Sequence, residues 1–312
     1  MASPVIELHG VCKAFGEHRV LNELTLAVPA QSVFGFLGNN GEGKSTTIRL
    51  ITALLRPDRG DISVLGMDVR TERHAILARV GVIVDAACFY PNLTAAEFLR
   101  IGCDLKNLPR SEIGRVLELV SLGAARERLR LVGKFSLGMK QRLAIAHALL
   151  GDPKLLIFDE PSNGLDPEGI RDIRLLLSKL PEQSGCTVFV SSHNLDEVEK
   201  MATHVGVLKG GALRFQGPLA ELHAQSASAL LVDVGDAVRA ALVLTAAGYR
   251  VDALVPGQQL IQQITQQITV HGVGLEVADK VNALLVTSGV ALYQSVFRTP
   301  SLEQWFLKEH HV

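Results

Sequence analysis

The segment Gly38-Asn39-Asn40-Gly41-Glu42-Gly43-Lys44-Ser45 constrains this chain more than any other. Residues 33–37 before it read as a short buried strand, and residues 45–55 after it carry helical apolar spacing. A G-x4-G-K-[ST] loop between a strand and a helix is a phosphate cradle, and the residue types explain why. Glycines let the backbone curl until successive N–H groups point inward, and the following helix adds its positive N-terminal end. Lys44 offers a point charge toward β- and γ-phosphates, and Ser45 offers a hydroxyl to Mg²⁺. The expected phosphate-binding set is therefore Gly38, Asn39, Asn40, Gly41, Glu42, Gly43, Lys44, Ser45 and Thr46.

Such a loop needs a sheet beneath it. Residues 155–159 and 187–190 are further buried apolar runs alternating with helical patterns, which implies an α/β core whose mostly parallel sheet is covered on both faces. Residues 88–150 read as a helical insertion, with Thr94-x-x-Glu97 placed as a capping box. This nucleotide-binding domain is expected over residues 1–225.

After it the pattern changes. Residues 230–234, 236–247, 249–254, 260–270, 275–287 and 291–298 read as β-α-β-β-α-β, a small α+β domain over 226–312 of ferredoxin-like or related type. The repeat Ile261-Gln-Gln-Ile-Thr-Gln-Gln-Ile-Thr269 reads as an edge strand, and residues 301–307 as a short closing amphipathic helix. A chain of 312 residues with 47% apolar and 20% charged side chains has the material for two cores.

Charge and composition exclude several classes. With 31 Lys+Arg against 32 Asp+Glu, the chain lacks the bulk charge of a nucleic-acid binder. Every apolar run is interrupted well short of the roughly 20 residues a membrane-spanning helix needs. The opening MASPVIELHG has no signal-peptide character, and Cys12, Cys88, Cys103 and Cys186 show no CxxC spacing. Unpaired thiols in a reducing cytosol are expected.

Residues 155–160, Leu-Leu-Ile-Phe-Asp-Glu, form a buried strand ending in two carboxylates. Asp159 is expected to hold Mg²⁺, directly or through water, and Glu160 to orient and polarise the attacking water. Phosphoryl transfer is mostly positioning and charge stabilisation, so no covalent nucleophile is required.

These motifs, with Phe135-Ser136-Leu137-Gly138-Met139-Lys140-Gln141, Asn163-Gly-Leu-Asp166 and His193, resemble the nucleotide-binding subunit of an ATP-binding cassette (ABC) transporter over residues 5–215. The resemblance implies a P-loop NTPase core of ABC type, ATP and Mg²⁺ as ligands, and a head-to-tail pair of cassettes enclosing two ATP. It further implies a separate transmembrane permease and a place at the cytoplasmic face of the membrane, with no nucleic acid expected as a partner. In that family the equivalents of Ser136 and Gly138 open a helix that completes the partner's site, and His193 contacts the γ-phosphate and links it to Glu160. Asp166 lies at the dimer seam, and Phe15 matches the aromatic position that stacks on adenine in many cassettes. By their own residue types, Ser136 and Asp166 are also sufficient as helix N-caps.

Two positions depart from the commonest pattern. Asp85 stands where many cassettes carry a Mg²⁺-contacting Gln, and an acidic residue there is similar to bacitracin-resistance and lantibiotic-immunity exporters, whose equivalents carry Glu. Asp is one methylene shorter. Leu137 and Met139 replace a more common Gly and Gln, while Ser136-x-Gly138 is kept. Two other readings compete with an exporter motor: a cassette ATPase acting in translation or DNA maintenance, and a P-loop kinase or other transferase. The first usually has two cassettes, long coiled coils or basic surfaces, none of which this sequence contains. The second leaves Ser136-x-Gly138 and His193 without a purpose. The C-terminal domain is expected to modulate dimer closure or to bind a partner.

Overall fold

Alternating and continuous apolar runs divide the strands into two kinds, and the computed structural model, which describes residues 3–84, 88–225, 228–252, 266–298, 301–302 and 305–306, places them accordingly. Ile6–Phe15 (β1) and His18–Val28 (β2) alternate buried and open positions and pair as an antiparallel hairpin. Val33–Leu37 (β3) is buried at every residue and feeds the glycine loop and helix Lys44–Ile51 (α1). That helix stops short of the expected residue 55, because Ala53 takes a left-handed φ of 55°. Arg59–Val64 (β4) and Met67–Asp68 (β5) join the first sheet, in the order β2-β1-β4-β5.

Helix Arg73–Leu77 (α2) and strand Val80–Ile83 (β6) lead into a helical stretch: Ala95–Lys106 (α3), Ser111–Leu119 (α4), Ala125–Arg128 (α5) and Leu137–Ala148 (α6). Thr94 and Glu97 form the capping box that opens α3. Leu155–Asp159 (β7), Pro167–Ser184 (α7), Thr187–Ser192 (β8), Leu195–Glu199 (α8), His204–Lys209 (β9) and Ala212–Pro218 (β10) complete the unit Met1–Leu219. Its central sheet runs β10-β9-β3-β8-β7-β6 and is parallel except for β10.

That order decides where chemistry can occur. The glycine loop leaves β3, Glu160 leaves β7 and His193 leaves β8, on three neighbouring strands. Leu37 is level with Ser192, and Asp159 with Ser191. The carboxyl ends of adjacent parallel strands thus bring the three segments together, as open α/β sheets do with their ligand sites. Beneath them Phe189 stacks on Phe34 at 5.7 Å and packs on Phe36 at 5.4 Å, all three fully buried. Phe189→Ala is expected to cost about 3–5 kcal/mol in urea unfolding, through lost burial and the cavity left behind.

The second unit, Ala220–Val312, contains helix Leu219–Gln225 (α9) from Ala220 onward, then Ala229–Val234 (β11), Ala237–Ala246 (α10), Arg250–Val251 (β12), Gln266–His271 (β13), Leu275–Thr287 (α11) and Leu292–Arg298 (β14). The strands form one sheet in the order β12-β13-β11-β14, every described pairing antiparallel. Leu230, Val232, Leu244, Ile268, Val281 and Leu285 are among its core residues. Residues 253–265 lie outside the described residues, and with them much of the Ile-Gln-Gln repeat. The described part, Gln266–Thr269, belongs to β13 and pairs with β11, while β12 meets β13 at Val270 and His271, with Asp252 N donating to Thr269 O at 3.0 Å. Trp305 N donates to Ser301 O at 3.1 Å, and Leu302 is fully buried.

Candidate functional site

The loop owes its curl to two glycines in left-handed conformation, Gly41 at φ 86° and Gly43 at φ 106°. Gly43 also has no room for a side chain, since a Cβ there would lie 2.7 Å from Leu21 and 3.1 Å from Val20 of β2. Asn39, Asn40 and Gly41 are exposed along the loop, and Ser45 and Thr46 are half-buried in the first turn of α1. Lys44 is 6% exposed, and its Nζ donates to Gly38 O at 2.7 Å and Asn39 O at 3.2 Å. An ammonium held this way spans the loop and satisfies its own charge on backbone oxygens.

The carboxylate pair is held from β8. Ser191 Oγ donates to Asp159 Oδ1 at 2.5 Å, while Glu160 N donates to Ser191 O at 3.2 Å and to its Oγ at 3.1 Å. Glu160 has φ 49°, a left-handed conformation that costs a non-glycine residue about 1–2 kcal/mol. This turn aims its side chain across the site. Oε1 lies 3.4 Å from Lys44 Nζ and Oε2 lies 2.8 Å from His193 Nδ1. One carboxylate therefore bridges the loop lysine and the histidine. His193 is half exposed, on the turn whose next residue, Asn194, caps α8 by accepting from Asp196 N and Glu197 N.

Ser45, Ile83, Phe89, Leu137, Asp159 and Glu160 are among the residues that line a cleft of about 790 Å³. Ser136 is the N-cap of α6 and accepts from Met139 N at 3.3 Å. Leu137 is 52% exposed, and a Cβ built on Gly138 would meet nothing within 4 Å. Among the described residues neither Ser136 nor Gly138 is hydrogen-bonded to the glycine loop. Asp166 caps α7, accepting from Gly169 N at 3.0 Å. Asp85 lies outside the described residues.

Phe15 ends β1 with half its surface exposed, so it is not a core residue. Lys13 Nζ lies 5.6 Å from its ring centroid and bonds Asp58 at 2.8 Å, and Asp58 also accepts from Ala14 N at 2.7 Å. The Lys13 hydrogen bond, then that of the Ala14 amide, holds the Asp58 carboxyl below its ordinary range. Asp58, Ser191 and the contact of Glu42 with Gly210 escape sequence reading. The one available signal was Ser191's place two residues before His193 on a buried strand.

Glu42 is half-buried, and its Oε2 accepts from Gly210 N at the tip of the β9–β10 hairpin.

Known proteins resemble this chain over most of its length. A family model described as ABC transporter matches residues 21–163. The chain is 37% identical over 307 residues to the bacitracin transport ATP-binding protein BcrA of Bacillus licheniformis, covering 98% of this chain and 97% of that protein. Among solved structures it is similar to cbiO1 from Clostridium perfringens, part of the ABC transporter complex cbiONQ. There the TM-score is 0.65 at 26% identity, over 72% of this chain and 92% of that one. It is also similar to the dimeric post-hydrolysis state of the ATP-binding cassette MJ0796 bound to ADP and Pi, with TM-score 0.61 and 26% identity over 69% and 98% of the two chains.

Proposed function

The chain belongs to the ABC transporter family as an ATP-binding and ATP-hydrolysing member, and from that premise we propose that it is the motor subunit of an exporter of antibiotics or similar compounds. Two copies close head to tail on two ATP molecules, and a separate transmembrane permease converts closure into transport. The observation that carries the reading is Glu160, set between Lys44 and His193 at the end of β7 beside the glycine loop. Similarity to a bacitracin transport protein across nearly the whole chain favours export over a role on ribosomes or DNA. No helix among the described residues is long and apolar enough to cross a membrane. A separate permease would hold the chain at the cytoplasmic face.

In this mechanism the N–H groups of residues 38–44 and the α1 terminus receive the phosphates, and Lys44 turns from Gly38 O and Asn39 O to their oxygens. Ser45 Oγ and Asp159 are hard oxygen donors suited to Mg²⁺, and Ser191 fixes the Asp159 carboxylate for that purpose. The ion supplies charge neutralisation on the phosphate oxygens when bound. Asp85 joins the same set on the family resemblance alone. Glu160 accepts a hydrogen bond from the attacking water, whose oxygen bonds to Pγ as the bond from Pγ to the ADP oxygen breaks, the water's proton passing by way of Glu160 to a phosphate oxygen. His193 holds Glu160 and faces the γ-phosphate. The partner's Ser136-bearing helix end closes the site, with Gly138 permitting close approach and Asp166 at the seam.

Phe15 stacks on adenine. Base–aromatic stacking contributes about 1–3 kcal/mol, so Phe15→Ala is expected to raise the KM for ATP about tenfold or more with kcat within about twofold. Unchanged KM in steady-state assays would remove Phe15 from the site. We also assign the cassette to 1–225 by its motifs, although the chain divides at Leu219 so that α9 from Ala220 falls in the second unit, with residues 88–150 as its helical subdomain; 226–312 is then a ferredoxin-like module, an architecture supported by its strand order, whose task is to modulate closure. Purification of the tagged chain from detergent extracts is expected to bring down a polytopic membrane protein. Recovery of ribosomes in its place would overturn the exporter reading.

A further inference from the structure

Lys44 is needed in two places. In the structure its Nζ ties Gly38 O and Asn39 O together, yet a phosphate would draw the same ammonium away. What then holds the outer half of the loop is not obvious, since a Cβ on Gly41 would meet nothing within 4 Å and Asn39 and Asn40 are exposed. The remaining backbone bond within that half is Glu42 N to Asn39 O at 3.3 Å.

A second restraint comes from far along the chain. Gly210 and Gly211, at φ 60° and 73°, form a two-residue turn between β9 and β10, with both residues left-handed as the twist of a hairpin requires. The turn is itself pinned: Gly211 O accepts from Asn22 N at 2.9 Å, and a Cβ on Gly211 would lie 2.3 Å from Val20 O. Its free N–H, that of Gly210, donates to Glu42 Oε2. The same β2 segment backs Gly43, so loop, hairpin and β2 meet at one junction.

We propose that Glu42 is a positioning residue whose carboxylate latches the phosphate loop to the Gly210–Gly211 turn, keeping the loop curled while Lys44 transfers to the nucleotide. The inference rests on the ATPase reading above. It also resolves a conflict of charge. A carboxylate inside an anion cradle repels phosphate, and bonding it to a backbone N–H outside the curl both restrains it and partly offsets its charge.

The two effects predict opposite signs, which makes the test sharp. If Glu42 acted only by its charge, Glu42→Ala would tighten ATP binding. With the latch, Glu42→Ala is expected to raise the KM for ATP about five- to tenfold with kcat within about twofold, because a charge-assisted bond to the loop is lost. Glu42→Gln keeps an acceptor oxygen on the same stem, and its KM is expected to rise no more than about twofold. Amide hydrogen exchange at residues 209–212, read by mass spectrometry on the full chain, should be faster in the Ala variant than in wild type or Gln. A fall or no change in KM for Ala, or a rise in Gln equal to that in Ala, overturns the latch. So does equal exchange in all three chains. Exchange decides the matter even in a chain that hydrolyses nothing, where the ATPase reading would fail separately.

Discussion

Glu160→Gln is expected to lower ATP turnover by about a thousandfold or more while leaving ATP binding and ATP-dependent dimerisation intact. The substitution is nearly isosteric, and the left-handed φ of 49° is no worse for Gln than for Glu. Its amide can still face His193 Nδ1, 2.8 Å from the present Oε2. What disappears is the negative charge that polarises water and that now pairs with Lys44 at 3.4 Å. Relieved of that partner, Lys44 is freer for phosphate, so the variant should hold ATP at least as tightly. Closed dimers that cannot reset should accumulate. Phosphate release under single-turnover conditions, with size-exclusion chromatography in Mg-ATP, reads both halves of the expectation. Turnover at the wild-type rate would take Glu160 out of the chemistry.

Parts of this site could be read from the sequence because their physics is local. A strand, a glycine loop and a helix start are contiguous, so Gly38–Ser45 declares itself, and so do the caps made by Thr94, Ser136 and Asp166 within their own first turns. The supports of the site were illegible for the opposite reason. Ser191 braces Asp159 only because β7 and β8 pair in one register, and Glu42 reaches a glycine 168 residues away. Phe15 was identified by position in a family pattern, whereas the Asp58 clamp that steadies its segment depends on β1 and β4 lying side by side. In the second unit the alternation of apolar residues predicted strands without their order. What Ser136 and Gly138 do lies further out of reach, since their function is satisfied by another chain.

Gly138→Asp isolates that intermolecular role from folding. Within one chain the position is open, and a carboxylate in the first turn of α6 favours the helix by about 0.3–1 kcal/mol. Thermal stability should therefore be unchanged or slightly raised, unlike Ser136→Ala, which also removes a cap valued at about 1 kcal/mol. Set against a partner's γ-phosphate, the same carboxylate replaces an attractive helix end with a repelling charge, and hydrolysis is expected to fall about a hundredfold. The decisive measurement mixes this variant with Glu160→Gln before ATP is added. In a two-fold pair each chamber takes Glu160 from one chain and Gly138 from the other, so a mixed dimer contains one chamber with both altered residues and one with neither. Two inactive proteins should then recover about a quarter of wild-type activity at equal mixing, since half the dimers are mixed and each has one sound chamber. Were each chamber built from a single chain, every chamber would contain one defect, and mixing would restore nothing.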